Sequence, residues 1–151
     1  MTATEGIPQV ASARPEMTAE IVAKTGLDEE VLRRLVHEFY AKIRSDPMLG
    51  PIFAERITDW GPHLDLMVAF WSSVALMTGR YHGRPVPAHT PLPISAAHFE
   101  RWLALFRETA HEVCTPLGAA HLIERAERIA RSLHIAVLEA QTAPDAVLTL
   151  R

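Results

Sequence analysis

Apolar residues recurring at helical spacing restrict this chain more than any other feature. Leu32, Leu35, Val36, Phe39 and Ile43 mark one such face. Phe99, Trp102, Leu103, Phe106, Ala110 and Val113 mark a second, and Leu122, Ala126, Ile129, Leu133 and Val137 a third. Met67, Phe70, Trp71 and Val74 continue a fourth that begins at His63. No segment alternates in the manner of a strand over more than a few residues, and no internal repeat is visible. The pattern predicts an all-α chain with four substantial helices.

The punctuation between these runs is chemically explicit. Asp28 is a good N-cap, Glu29 and Glu30 suit the positive end of a helix dipole, and Leu27 with Leu32 can staple the entry. Asp46-Pro47 ends that helix, because the residue before proline is pushed out of the helical region. Residues 46 to 57 read as a compact turn around Gly50-Pro51, with Ile52 and Phe53 as its apolar tip. The next helix is expected to begin between Thr58 and Pro62 and to run to about Thr78, with Gly79 at C′. Regular helix should start at or near Pro62, which leaves His63 in the first turn and free to swing. Residues 80 to 94 carry Pro85, Pro87, Pro91 and Pro93 and are expected to be extended or looped, and stiff. Ser95 caps the following helix, and Thr115-Pro116 opens the last one.

Upstream, Thr18 is expected to cap a short helix that stops near Gly26. The organisation is therefore a flexible leader over 1–17, one domain over 18–141 and a tail over 142–151. With 151 residues, 48% hydrophobic, the chain has material for one sizeable core and is not disordered in character. The net charge of −3 gives no reason to propose a nucleic-acid or polybasic membrane partner. The longest apolar run, Leu66 to Met77, is broken by Ser72 and Ser73 and falls short of the roughly 20 residues that span a bilayer. No apolar segment of signal length follows Arg14, and the single cysteine, Cys114, suits a reducing compartment. These features point to the cytoplasm.

Eight histidines raise the question of which face inward. His63 opens an otherwise apolar stripe, and position alone leaves two readings: a partly exposed residue at a frayed helix end, or a group directed into a pocket. His89 sits in Pro87-Ala88-His89-Thr90-Pro91, where flanking prolines restrict the backbone as a metal ligand requires, although on this pattern alone a surface histidine in a polar loop is the slightly better reading. Tyr40, beside Phe39, and Trp102, on the core face of its helix, each need a partner for a polar hydrogen. Backbone carbonyls would serve for either alone. With an inward His63 they would form an apolar pocket with three convergent polar groups, which is how small-ligand sites are built. His37, His111, His121 and His134 are not spaced as a zinc set, and Cys114 reads as a small residue near a helix end.

Taken in order, these segments resemble a known family. Phe39-Tyr40, then Asp46-Pro47-Met48-Leu49-Gly50-Pro51-Ile52-Phe53, then Trp60 and His63, Phe70-Trp71, Thr78-Gly79-Arg80-Tyr81, His89, and His98-Phe99-Glu100-Arg101-Trp102-Leu103-Ala104-Leu105-Phe106 are similar to group III truncated haemoglobins. The likeness spans roughly residues 28 to 138. It implies a two-over-two helical sandwich of truncated-globin type around haem b, with a long proline-rich loop carrying the proximal histidine. In that frame His89 matches the axial iron ligand, and Tyr40, His63 and Trp102 match the distal side. Phe53 matches the aromatic residue packed on the porphyrin, Met67, Phe70 and Trp71 the distal helix face, and Phe99 a further cofactor contact. By charge alone, Arg80 and Arg84 are candidates for the propionates.

The implied function is reversible binding of a diatomic ligand: dioxygen, carbon monoxide or nitric oxide. A neutral proximal histidine leaves the sixth iron position available, and donors nearby stabilise bound dioxygen. The alternative is a haem redox enzyme of peroxidase or nitric oxide dioxygenase type, with His63 as proton shuttle. That chemistry needs a separate reductase, since no flavin or nicotinamide motif is present. A third reading, an all-α interaction module without haem, leaves the ordered set of motifs unexplained.

Overall fold

The computed structural model of the chain describes residues 12–142, and all its regular elements are α-helices. Most of the expected leader and tail, residues 1–11 and 143–151, lies outside the described residues. The leader's end is not irregular. Helix α1 (Pro15–Thr25) starts at Pro15, whose φ is preset for a first turn and whose missing N–H would have had no partner there. Thr18, expected as a cap, lies buried inside this helix and donates its hydroxyl to Leu76 O at 2.7 Å. Gly26 closes α1 in the left-handed conformation, φ 73°, which costs glycine nothing.

Helix α2 (Glu29–Ser45) begins as the sequence indicates: Asp28 accepts the N–H of Val31 at 2.9 Å. Its buried face is Leu32, Leu35, Val36, Phe39, Tyr40 and Ile43. The expected turn over 46–57 winds further than anticipated, into the short helix α3 (Gly50–Arg56). Pro51 favours a first turn. Gly50 permits close approach to α2, since a Cβ there would sit 2.9 Å from Arg44 O. Asp46 stays outside the helices but is anchored. It accepts the N–H groups of Met48 and Leu49 and the Nε–H of Arg101, the last at 2.7 Å.

Helix α4 (Trp60–Leu76) starts inside the expected window between Thr58 and Pro62, two residues before the proline. Proline is tolerated there because the first four helical N–H groups have no intrahelical acceptor. The helix ends at Met77, a non-glycine residue at φ 59°, so Met77 and not Gly79 makes the terminal left-handed turn. Helix α5 (Pro85–His89) is the second departure: part of the proline-rich segment coils once instead of remaining extended. Pro85 and Pro87 fall in the first turn, where no donor is needed. Helices α6 (Ala96–Val113) and α7 (Pro116–Thr142) complete the chain. Thr115 opens α7 by accepting the N–H of Gly118 at 3.0 Å, and its own hydroxyl donates to Thr25 O at 2.7 Å.

Helix α2 packs on α4 and on α6, and α6 packs on α7. The short α1 bridges α4 and α7, and α5 rests on α7. This is a two-over-two helical sandwich. One large ring from each of three helices fixes its centre: Phe39 lies edge-on to Phe106 at 5.2 Å, and Trp71 stacks on Phe106 at 4.8 Å. Phe106 is fully buried, and truncating it to alanine should cost about 3–5 kcal/mol.

Candidate functional site

The layers do not close completely. Between them lies a cavity of about 430 Å³, within the range of small-ligand sites. Its lining contains Tyr40 from α2, Phe53 from α3, His63, Met67, Phe70 and Trp71 from α4, His89 from α5, and Phe99 and Trp102 from α6. The nine residues singled out in the sequence for the iron, the porphyrin faces and the distal side thus line one space. Ile129 and Leu133 of α7, which the periodicity assigns to a core face, wall the same cavity and are only half-buried.

Polar groups entering this space have few protein partners. The Nε2 atom of His63 is buried and makes no hydrogen bond. Neither the Tyr40 hydroxyl nor the Trp102 indole N–H is bonded to a protein acceptor among the described residues, so backbone carbonyls do not satisfy them. Burial of Tyr40, only 6% exposed, pushes its hydroxyl well above the usual phenol range, so it remains a donor. Burial likewise lowers the His63 pKa and favours the neutral ring. An unpaired buried polar atom is costly, and His63 Nε2, beside two donors that line the same cavity without a protein acceptor, marks a place where a ligand supplies the missing partner.

Aromatic edges hold these groups. The His63 ring stands perpendicular to Tyr40 at 5.5 Å and to Trp60 at 5.6 Å, and the Arg44 guanidinium lies 4.5 Å over Trp60. The first turn of α4 is otherwise weakly tied, because Asp59 makes no side-chain cap bond. His63 is therefore wedged between rings rather than simply loose. Trp102 stacks on Phe106 and meets Phe39 edge-on, which sets its indole from the core side.

His89 differs. Its Nδ1 lies 2.5 Å from Pro85 O, one turn back in α5. A carbonyl oxygen only accepts, so in the neutral ring Nδ1 carries the proton and Nε2 the lone pair. This is the tautomer a metal-binding histidine needs, and the bond to the Pro85 carbonyl fixes the ring. His98, a further lining residue, is set the other way. Its Nδ1 accepts the N–H of Ser95 at 2.9 Å, within a capping box that opens α6. In the neutral ring the proton is then on Nε2, which makes His98 a donor and not a ligand.

Other residues fall outside the site. Arg80 is paired with Glu29, and neither Arg80 nor Arg84 lines the cavity. Burial pushes the Cys114 thiol up to about 11, so it is not a thiolate ligand. His121 donates to Ala75 O and is structural. Among the described residues no group of three His, Cys, Asp or Glu could hold a bare metal ion, and no helix is long and apolar enough to cross a membrane. An apolar cavity with one preorganised histidine fits a metal that arrives inside its own organic frame, as in haem.

A two-over-two helical sandwich around such a cavity defines a small globin-type haem protein. The chain matches the family model of bacterial-like globins over residues 21–139. It is 34% identical over 109 residues to the group 3 truncated hemoglobin ctb of Campylobacter jejuni, covering 69% of this chain and 86% of that relative. It is 27% identical over 89 residues to the group 2 truncated hemoglobin YjbI of Bacillus subtilis, covering 58% and 67%. The crystal structure of group III truncated hemoglobin from Campylobacter jejuni superposes with a TM-score of 0.70 at 33% identity, covering 74% of this chain and 91% of that one. The chain belongs to the bacterial-like globin family and, within it, to the group III truncated haemoglobins. It is in general terms a haem-binding globin for diatomic ligands.

Proposed function

We propose that this globin binds haem b through His89 Nε2 and reversibly holds dioxygen or another diatomic ligand on the side of Tyr40, His63 and Trp102. The observation that carries the reading is the division of polar groups in one cavity. His89 has its Nδ1 engaged and Nε2 free, while Tyr40, His63 and Trp102 enter without a protein partner. Haem held there by His89 would supply the iron that binds the diatomic ligand. The protein's own part is to exclude water with Met67, Phe70 and Trp71, to aim His89, and to offer hydrogen bonds from Tyr40 and Trp102 to a ligand that gains negative charge. The test is dioxygen titration of the reduced protein. Reversible spectral change with no consumption of reductant supports the reading, and oxidation on every cycle sinks it.

One observation favours a second, redox reading. His63 Nε2 is neutral, buried and unpaired, so it can take a proton from a peroxide and return it. Such turnover would need a separate reductase as partner. Steady-state turnover with a physiological reductant, abolished by His63→Ala, would favour this reading over simple carriage. A reducing cytoplasmic setting suits a chain whose only cysteine is a half-buried, high-pKa thiol.

A further inference from the structure

Haem b carries two carboxylates, which are ionised near neutral pH and cannot rest unpaired against an apolar wall. Beyond the residues assigned above, two nitrogen donors in the cavity lining are suited to meet them: Arg56, the last residue of α3, and His98, in the first turn of α6. Eight Arg and Lys side chains are already paired with carboxylates, Arg80 among them. Arg56 is paired with none among the described residues, although it lines a cavity. His98 is half-buried, and its capping bond turns an Nε2–H donor outward from the helix start.

We infer that Arg56 and His98 receive the carboxylates of the porphyrin, one each, and that Arg80 and Arg84 do not. The inference rests on the haem reading above. It deepens that reading into a selectivity: the site prefers a tetrapyrrole with free carboxylates over its ester. Both residues reach solvent, Arg56 the more exposed of the two. Each contact therefore has the modest strength of a partly hydrated ion pair or charge-assisted hydrogen bond.

The experiment measures loss of the porphyrin from holoprotein to excess apomyoglobin, using protein loaded with haem b or with its dimethyl ester. Arg56→Glu and His98→Glu should each release haem b about threefold to tenfold faster than wild type. His98→Glu keeps the capping box in its preferred Ser-x-x-Glu form, so faster loss is not explained by a loosened α6. His98→Gln keeps both the cap and a donor and should recover most of the retention. With the dimethyl ester, all four proteins should release at closely similar rates. Wild-type haem b loss in either Glu variant removes that residue from the assignment. Equal acceleration for haem b and ester shows a packing role and overturns it. The absorption spectrum is read in the same samples: an unchanged axial band isolates this inference from the His89 ligation, which fails or stands on its own variant.

Discussion

The ring nitrogen Nδ1 of His89 donates to the carbonyl oxygen of Pro85, 2.5 Å away, inside a helix of five residues. That bond fixes both the tautomer and the ring plane of a histidine on a short helix, as the proposed iron ligand requires. The neighbouring prolines hold the carbonyl in place. The arrangement predicts that His89→Gly loses the strong axial bond and that added imidazole restores it. The visible spectrum of purified protein reads this directly, and a wild-type spectrum in the variant without imidazole would reject His89 as the ligand.

Much of this was legible in the sequence. Long helices declare themselves by period, so the apolar faces carrying Tyr40, Phe70, Trp71 and Trp102 could be placed before any coordinates. Short helices did not. Seven residues in α3 and five in α5 are too few to show a period, and prolines in both read first as punctuation. The end of α4 escapes the pattern because glycine is the usual left-handed residue, whereas Met77 adopts that conformation with the Ser72 and Thr78 hydroxyls joined at 2.8 Å beside it. Arg56 and His98 carried no local signal for a site. Their convergence depends on how α3 and α6 pack, although Ser95-x-x-His98 is a variant of a known capping pattern.

His63 offers a test of how firmly the aromatic edges hold it. The ring lies between Tyr40 and Trp60 at the weakly capped start of α4. A partly low-spin, six-coordinate fraction is expected in the ligand-free protein, with His63 reaching the iron. His63→Ala should shift the spectrum to high spin and speed ligand entry. Trp60→Ala, which removes one wall, should raise the low-spin fraction. Identical spin state and association rate in wild type and His63→Ala would take His63 out of the gate.

Asp46 predicts an acid limit to stability. Burial alone would raise its pKa, but the N–H of Leu49, the Arg101 guanidinium and the N–H of Met48 together hold the carboxyl below its ordinary range. A carboxyl with a depressed folded pKa contributes stability above its unfolded pKa, near 3.9, and loses it as pH falls through the folded value. Asp46→Asn should cost about 2 kcal/mol at pH 7 and flatten the fall in stability below about pH 4. Urea unfolding at a series of pH values measures both effects. Parallel curves for the two proteins would show that Asp46 does not contribute to the acid limit.

Ligand choice should follow from the two donors that have no protein acceptor, Tyr40 and Trp102. Dioxygen held at a ferrous haem takes on partial negative charge, whereas carbon monoxide stays nearly neutral. A hydrogen bond to a charged group contributes about 1.5–3 kcal/mol and one between neutral partners about 1 kcal/mol. At about 1.4 kcal/mol per factor of ten, loss of the stronger bond speeds dissociation on the order of tenfold to a hundredfold. The bond exists only once the ligand is in place, so the effect belongs in the off-rate. Tyr40→Phe keeps the ring that meets Phe53 and His63, and Trp102→Phe keeps an aromatic ring against Phe106. Each should therefore accelerate dioxygen release far more than carbon monoxide release, as stopped-flow or flash-photolysis rates will read. Both donors act on one ligand, so the double variant should fall short of the sum of the two effects. If each substitution changes the two off-rates by the same factor, the side chains only shape the cavity, and the steric account replaces the electrostatic one.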